Sequence, residues 1–131
     1  RLEHCSLALP EQLDRIGKLG VLVCTQPSFL TRRLAKYLEE LSPAEQKWLW
    51  PLGSLTERDI TVTLSSDSPV VPADPSEWFE ASTNRPLGSH EVISEDSAQR
   101  MAAVSTMKPG LTADMLVIAN AAGYQPLTSR N

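Results

Sequence analysis

Apolar positions along this chain change their spacing several times, and each change marks an element. Residues 1–5 (RLEHC) alternate enough for a short strand. From Pro10 the period lengthens: in PEQLDRIGKLG the residues Leu13, Ile16 and Leu19 recur every three positions. Proline at the first turn and Gly20 beyond the last complete a helix signature. Residues 21–25 (VLVCT) are apolar on both faces, as in a strand covered on both sides in a parallel sheet. Residues 29–41 (FLTRRLAKYLEEL) return to helical spacing. Ser42-Pro43 with Glu45 predicts a capping box that opens a third helix, running to Trp50 and stopped by Pro51. SLTERD adds a helical turn, and residues 60–64 (ITVTL) form a third strand.

Strand, helix, strand, helices, strand is the rhythm of parallel strands joined by right-handed crossovers. Beyond it the texture changes. Residues 66–92 are rich in proline and serine and predict a loop with one helical turn at PSEWFEAS. Ser94 is placed to cap a fourth helix, EDSAQRMAAVS, with Ala98, Met101, Ala102 and Val104 facing inward. Lys108-Pro109-Gly110 is a turn that Asp114 supports, ADMLVIA a short last strand, and residues 120–131 a tail. The expected fold class is α/β: three parallel strands with flanking helices plus a short C-terminal strand.

Composition narrows the function classes. At 131 residues the chain is of single-domain length, with 41% hydrophobic and 21% charged residues, an ordinary globular mix. Aromatics are only 5%, so aliphatic side chains must supply most of the core. A net charge of −4 and a pI near 5.1 argue against a nucleic-acid partner, which needs a basic surface. Arg32-Arg33 is the one adjacent basic pair, and with Lys36 it fits a solvated helix face. No apolar run is long enough for a membrane span, and no signal pattern opens the chain, so a cytoplasmic protein is expected. Cys5 and Cys24 are too few for a disulfide framework and fit buried thiols. A start at Arg1, within a strand-like run, suggests a piece of something longer.

Chemistry concentrates at the ends of strands. In ITVTLSSDSPV, residues 60–70, alternation sets Ile60, Val62 and Leu64 on one face and Thr61, Thr63, Ser65 and Asp67 on the other. Ligands bind beyond the carboxyl ends of parallel strands, which is where Asp67 and His4 fall. Asp67 also suits a plain turn, since SDSP is turn chemistry, and His4 suits a core or edge histidine. Gln26 and Ser28 follow the second strand and either line a substrate pocket or cap a helix. His90, in PLGSHEV, reads as a surface residue, and Arg1 and Glu3 as an ion pair. Trp48 and Trp50 fit helix packing better than substrate stacking, and Trp78 lies in the loop after Asp67.

Five segments in order carry a resemblance: RLEH, the strand ending in QPS, WPLGSL, SSDSPV with DP soon after, and KPGLTADMLVIA. Together they resemble the C-terminal part of the amidohydrolase superfamily, specifically amidohydrolase family 3, whose typical run is RIEH, QPSH, P-W-x-SL, GSDAPV and PGKLADLVVLD. The likeness covers about residues 1–119. It implies a partial (β/α)8 TIM-barrel-like fold, with residues 1–106 holding strands six to eight and residues 107–131 leaving toward a small β-sandwich. It also implies His4 as a metal ligand and Asp67 as both metal ligand and general base. The implied cofactor is a divalent metal, zinc above others, completed by residues outside these 131 or by a partner subunit. The implied activity is hydrolysis of a C–N bond in a small amide-type substrate. Such an ion lowers the pKa of bound water to roughly 7 and polarises the carbonyl, while a carboxylate relays the proton to the leaving nitrogen.

A different class of function is also open. The chain could be a small non-catalytic α/β binding or structural module. Its bare sheet edges would then need cover, and a homo-oligomer, two half-barrels paired around a two-His, two-Asp site, would provide it.

Overall fold

The computed structural model describes residues 1–103. Val104, the turn at 108–110, Asp114, the last strand, the tail and the boundary at 106/107 all lie outside the described residues.

Three parallel strands form an open sheet in the order β1 (Leu2–Glu3), β2 (Val23–Thr25), β3 (Val62–Leu64). Glu3 pairs with Cys24, Cys24 with Thr63, and Thr25 with Leu64. β2 is central and buried throughout, as its two-sided apolar run requires. The strands are shorter than the sequence suggests. β1 stops at Glu3 because His4 and Cys5 turn into the left-handed region, at φ 67° and 48°.

Helices α1 (Pro10–Lys18) and α5 (Leu52–Glu57) follow β1 and precede β3. α1 buries Leu13, leaves Ile16 half-buried and exposes Leu19; Gly20 takes φ 61° just past its end. The helix expected over residues 29–41 is two, α2 (Ser28–Arg32) and α3 (Leu34–Glu40). Arg33 breaks them at φ −122°. The capping box at Ser42 and Glu45 is present, with Ser42 Oγ accepting from the Glu45 amide at 3.3 Å. Its helix α4 covers only Pro43–Gln46 and does not reach Trp50. Residues 47–50 instead run beside residues 6–8, bridged at Leu7 and Leu49.

The proline-rich stretch holds more than a turn. α6 (Pro75–Thr83) is a nine-residue helix capped by Asp74, whose side chain accepts from the Ser76 amide at 2.9 Å. α7 (Glu95–Ala103) begins after Ser94, whose Oγ accepts from the Ser97 amide at 3.2 Å. Ala98 and Met101 point inward as expected.

Alternation along β3 holds: Ile60, Val62 and Leu64 are buried, Thr61 is exposed and Thr63 half-buried. They join Leu13, Val23, Leu52, Leu55, Ile93 and Ala98 in the larger of two apolar clusters. The smaller one, Phe29, Leu30, Leu49, Trp50 and Val71, sits beside the carboxyl ends of the strands.

Candidate functional site

Because the strands are parallel, all three deliver the residues that follow them to one edge. His4 leaves β1, Gln26 leaves β2, and Ser65 to Asp67 leave β3. A cleft of about 240 Å³ opens there, lined among others by His4, Gln26, Phe29, Arg33, Trp50 and Asp67. Two of the residues singled out from sequence, His4 and Asp67, therefore share one cavity with Gln26. Ser28 does not line it: fully buried at the start of α2, its Oγ has no hydrogen-bond partner among the described residues.

Backbone conformation marks the same place. Five non-glycine residues among those described have positive φ. Three of them, His4 (67°), Trp50 (44°) and Asp67 (61°), line the cleft. Such conformations cost of order 1–3 kcal/mol each and cluster where a side chain must be aimed. Here they fall at three residues that line one space.

His4 is held closely. Its amide donates to the Cys24 carbonyl at 2.8 Å, and its own carbonyl accepts from Thr25 Oγ1 at 2.5 Å. Its ring Nδ1 lies 2.8 Å from Gln26 Oε1. Gln26 Nε2 donates in turn to Ser65 Oγ at 2.7 Å, so one chain of contacts spans all three strand ends. Both ends of the Gln26 amide are thus engaged within the protein. Asp67 is exposed. Its backbone carbonyl accepts from the Val70 amide at 2.9 Å, closing a turn; among the described residues its carboxylate has no hydrogen bond.

The opposite wall is aromatic. Phe29 and Trp50 stack at 6.5 Å, Tyr37 meets Trp50 edge-on at 5.3 Å, and the Arg33 guanidinium lies 4.8 Å from the centre of the Phe29 ring. Sequence reading missed this wall. Trp50 does pack, 2% exposed, yet it also lines the cleft. Arg33, placed on a solvated helix face, is exposed but sits at the break between α2 and α3. No residue spacing announces that break.

The other expected residues fall outside the cleft. His90 is exposed and packs edge-on against Trp48 at 6.0 Å. Arg1 and Glu3 form an exposed ion pair. Trp78 packs against the larger cluster. The cysteines are unpaired; Cys24 is buried and Cys5 half-buried, and burial raises the Cys5 thiol pKa.

His4 and Asp67 bring an imidazole nitrogen and a carboxylate oxygen, donor types that suit zinc and related ions. They are two donors, and a catalytic zinc usually takes three from protein. Among the described residues no group of three or more His, Cys, Asp or Glu could hold an ion. The donor chemistry fits; the donor count is incomplete within these residues.

No protein-family profile matches the chain, and no curated protein matches it in sequence. Among solved structures, the chain is similar to an uncharacterized metal-dependent hydrolase from Pyrococcus furiosus, with 33% identity and a TM-score of 0.66 over 76% of this chain. An uncharacterized metal-dependent hydrolase from Pyrococcus horikoshii OT3 gives 27% identity and a TM-score of 0.65 over the same share. The match covers 21% and 22% of those chains, about a fifth of their length. No helix among the described residues is long and apolar enough to cross a membrane. The described residues thus carry the fold of part of a metal-dependent hydrolase.

Proposed function

We propose that this chain contributes one side of the active site of a metal-dependent hydrolase acting on an amide-type C–N bond, as in amidohydrolase family 3. The observation that carries the reading is the convergence of His4 and Asp67, from the first and third strands, on one cleft at the carboxyl edge of the sheet. Order of strands and carboxyl-end placement also suit strands six to eight of a (β/α)8 barrel, with residues 107–131 leading out of it. A match that takes up about a fifth of those structures is what such a segment would show.

In this reading His4 and Asp67 hold a divalent ion, with zinc the preferred identity, together with donors from outside the described residues. When bound, such an ion supplies Lewis acidity at the carbonyl and lowers the pKa of nearby water. Asp67, whose carboxylate has no hydrogen bond among the described residues, accepts the proton of the attacking water and returns it to the leaving nitrogen. The Phe29–Trp50 wall holds an apolar acyl group and excludes water from that side. Gln26 serves substrate only through the face of its amide that looks into the cleft.

Ion uptake tests the proposal without turnover. In a Co²⁺ titration followed by NMR, perturbation is expected at His4, Gln26 and Asp67, and Asp67→Asn or His4→Ala is expected to weaken uptake at least about tenfold. Perturbation elsewhere, or uptake indifferent to both changes, overturns it. In the assembled hydrolase, Asp67→Asn is expected to lower kcat about 10²- to 10⁴-fold.

A second reading, a non-catalytic dimeric module, draws support from the two open edges of the sheet. Leu2, on the outer strand, is 38% exposed.

A further inference from the structure

Gln26 is 3% exposed, an unusual place for an amide unless its hydrogen bonds are made. Its nitrogen lies 2.7 Å from Ser65 Oγ and 3.5 Å from the Cys24 carbonyl oxygen. A carbonyl only accepts, so the amide end facing it must be the NH₂. That leaves Oε1, also an acceptor, facing His4 Nδ1 at 2.8 Å. Two acceptors cannot bond each other, so Nδ1 carries the proton. A neutral histidine in water prefers its proton on Nε2; the strand edge therefore inverts that preference.

We propose that Gln26 is a positioning residue that fixes the His4 imidazole in the form protonated on Nδ1 and turns an unprotonated Nε2 toward the cleft. Nothing is consumed in this role: Gln26 holds a proton where it is and orients a ring. Three consecutive residues of β2 and its end share the task. The Cys24 carbonyl holds the His4 amide, the Thr25 hydroxyl holds the His4 carbonyl, and Gln26 holds the ring. A histidine that merely decorates an edge has no need of a ring held at the same time as its backbone. Partners of this kind commonly fix the tautomer of a ligating imidazole and raise its basicity. The tautomer follows from the contacts alone; its use in holding an ion rests on the proposed function.

The chain has two histidines, so ring ¹⁵N signals are assignable with His90→Gln as the reference. Long-range ¹H–¹⁵N spectra recorded with the rings neutral are expected to show His4 protonated on Nδ1. In Gln26→Leu the proton is expected on Nε2, and Gln26→Glu, which keeps an acceptor oxygen, is expected to restore Nδ1. An Nε2-protonated His4 in the unaltered protein overturns the inference, as does a Leu variant with the tautomer unchanged. Should the Leu variant not fold, the unaltered protein still decides. Co²⁺ affinity is expected to fall about tenfold or more in the Leu variant and to recover in the Glu variant. An Nδ1-protonated His4 with ion uptake indifferent to His4→Ala and Asp67→Asn leaves the positioning role standing and removes the hydrolase reading. Ion uptake with an Nε2-protonated His4 does the reverse.

Discussion

Glu91 and Arg85 take opposite charges into the interior, and each is met by the backbone more than by the other. The Glu91 carboxylate, fully buried, accepts from the Ser54 amide at 2.7 Å and the Ser54 hydroxyl at 2.6 Å. Arg85 donates to the carbonyls of Leu49, Trp50 and Leu87 at 2.5, 2.8 and 2.7 Å. Burial lowers its pKa to about 10, partly opposed by Glu91, so the guanidinium stays charged at neutral pH. Two of its carbonyls belong to the segment that carries Trp50 to the cleft, so an arginine outside the cleft helps to position one of its walls. Arg85→Met takes the side-chain donor from the Leu49 and Leu87 carbonyls, at about 1–3 kcal/mol each, while the Trp50 carbonyl keeps the Leu52 amide at 2.7 Å. A loss of about 3 kcal/mol or more is expected in urea unfolding, and a loss under 1 kcal/mol would show that the carbonyls find other partners. Gly53 gives a finer test. A Cβ there would meet the His90 carbonyl oxygen at 3.0 Å and Glu91 Oε2 at 3.1 Å. Overpacking costs about 1–3 kcal/mol, whereas replacing glycine in a helix gains at most about 1 kcal/mol. Gly53→Ala is therefore expected to lower the urea midpoint; a raised midpoint would mean that the Glu91 loop yields easily.

Between elements, the clearest electrostatic tie joins α2 to α6. Arg32 Nε donates to Glu77 Oε2 at 2.6 Å, and a second guanidinium nitrogen reaches Oε1. This hydrogen bonding holds the Glu77 pKa below its ordinary 4.5. A depressed carboxylate stabilises the fold above its unfolded pKa, and that stabilisation is lost as pH falls through the folded value. The melting-temperature gap between the unaltered protein and Glu77→Gln is thus expected to hold steady above the ordinary carboxylate range and to close as pH falls below it through the lowered folded value. A gap that persists in acid would assign it to packing. The same helices show what was legible beforehand. The three parallel strands, the Ser42–Glu45 box and the placement of His4 and Asp67 at strand ends follow from period and from capping chemistry, which are local. α6 was hidden by the prolines around it, although Asp74-Pro75 is itself an N-cap followed by proline at the first helical position. The Phe29–Trp50 wall and the Glu91–Ser54 contact depend on partners 21 and 37 positions away. Spacing within a segment carries no trace of them.

For the whole molecule, the order β1-β2-β3 ranks the strands by how much must open to expose them. β2 is bonded on both sides, and its three residues are buried. β1 has one neighbour and two exposed residues. Amides in central strands exchange only on global opening, whereas edges open locally. Slow exchange is expected at Val23–Thr25 and much faster exchange at Leu2–Glu3 in dilute protein. Concentration then separates the two functional readings. A β1 edge that meets a second copy gains protection as concentration rises, because pairing occupies its free backbone groups. A β1 edge that stands alone keeps the same rate. Protection at Leu2–Glu3 that grows with concentration, with β2 unchanged, would favour the dimeric module. A constant rate at β1, together with Co²⁺ uptake dependent on His4 and Asp67, would leave the hydrolase reading as the one the molecule supports.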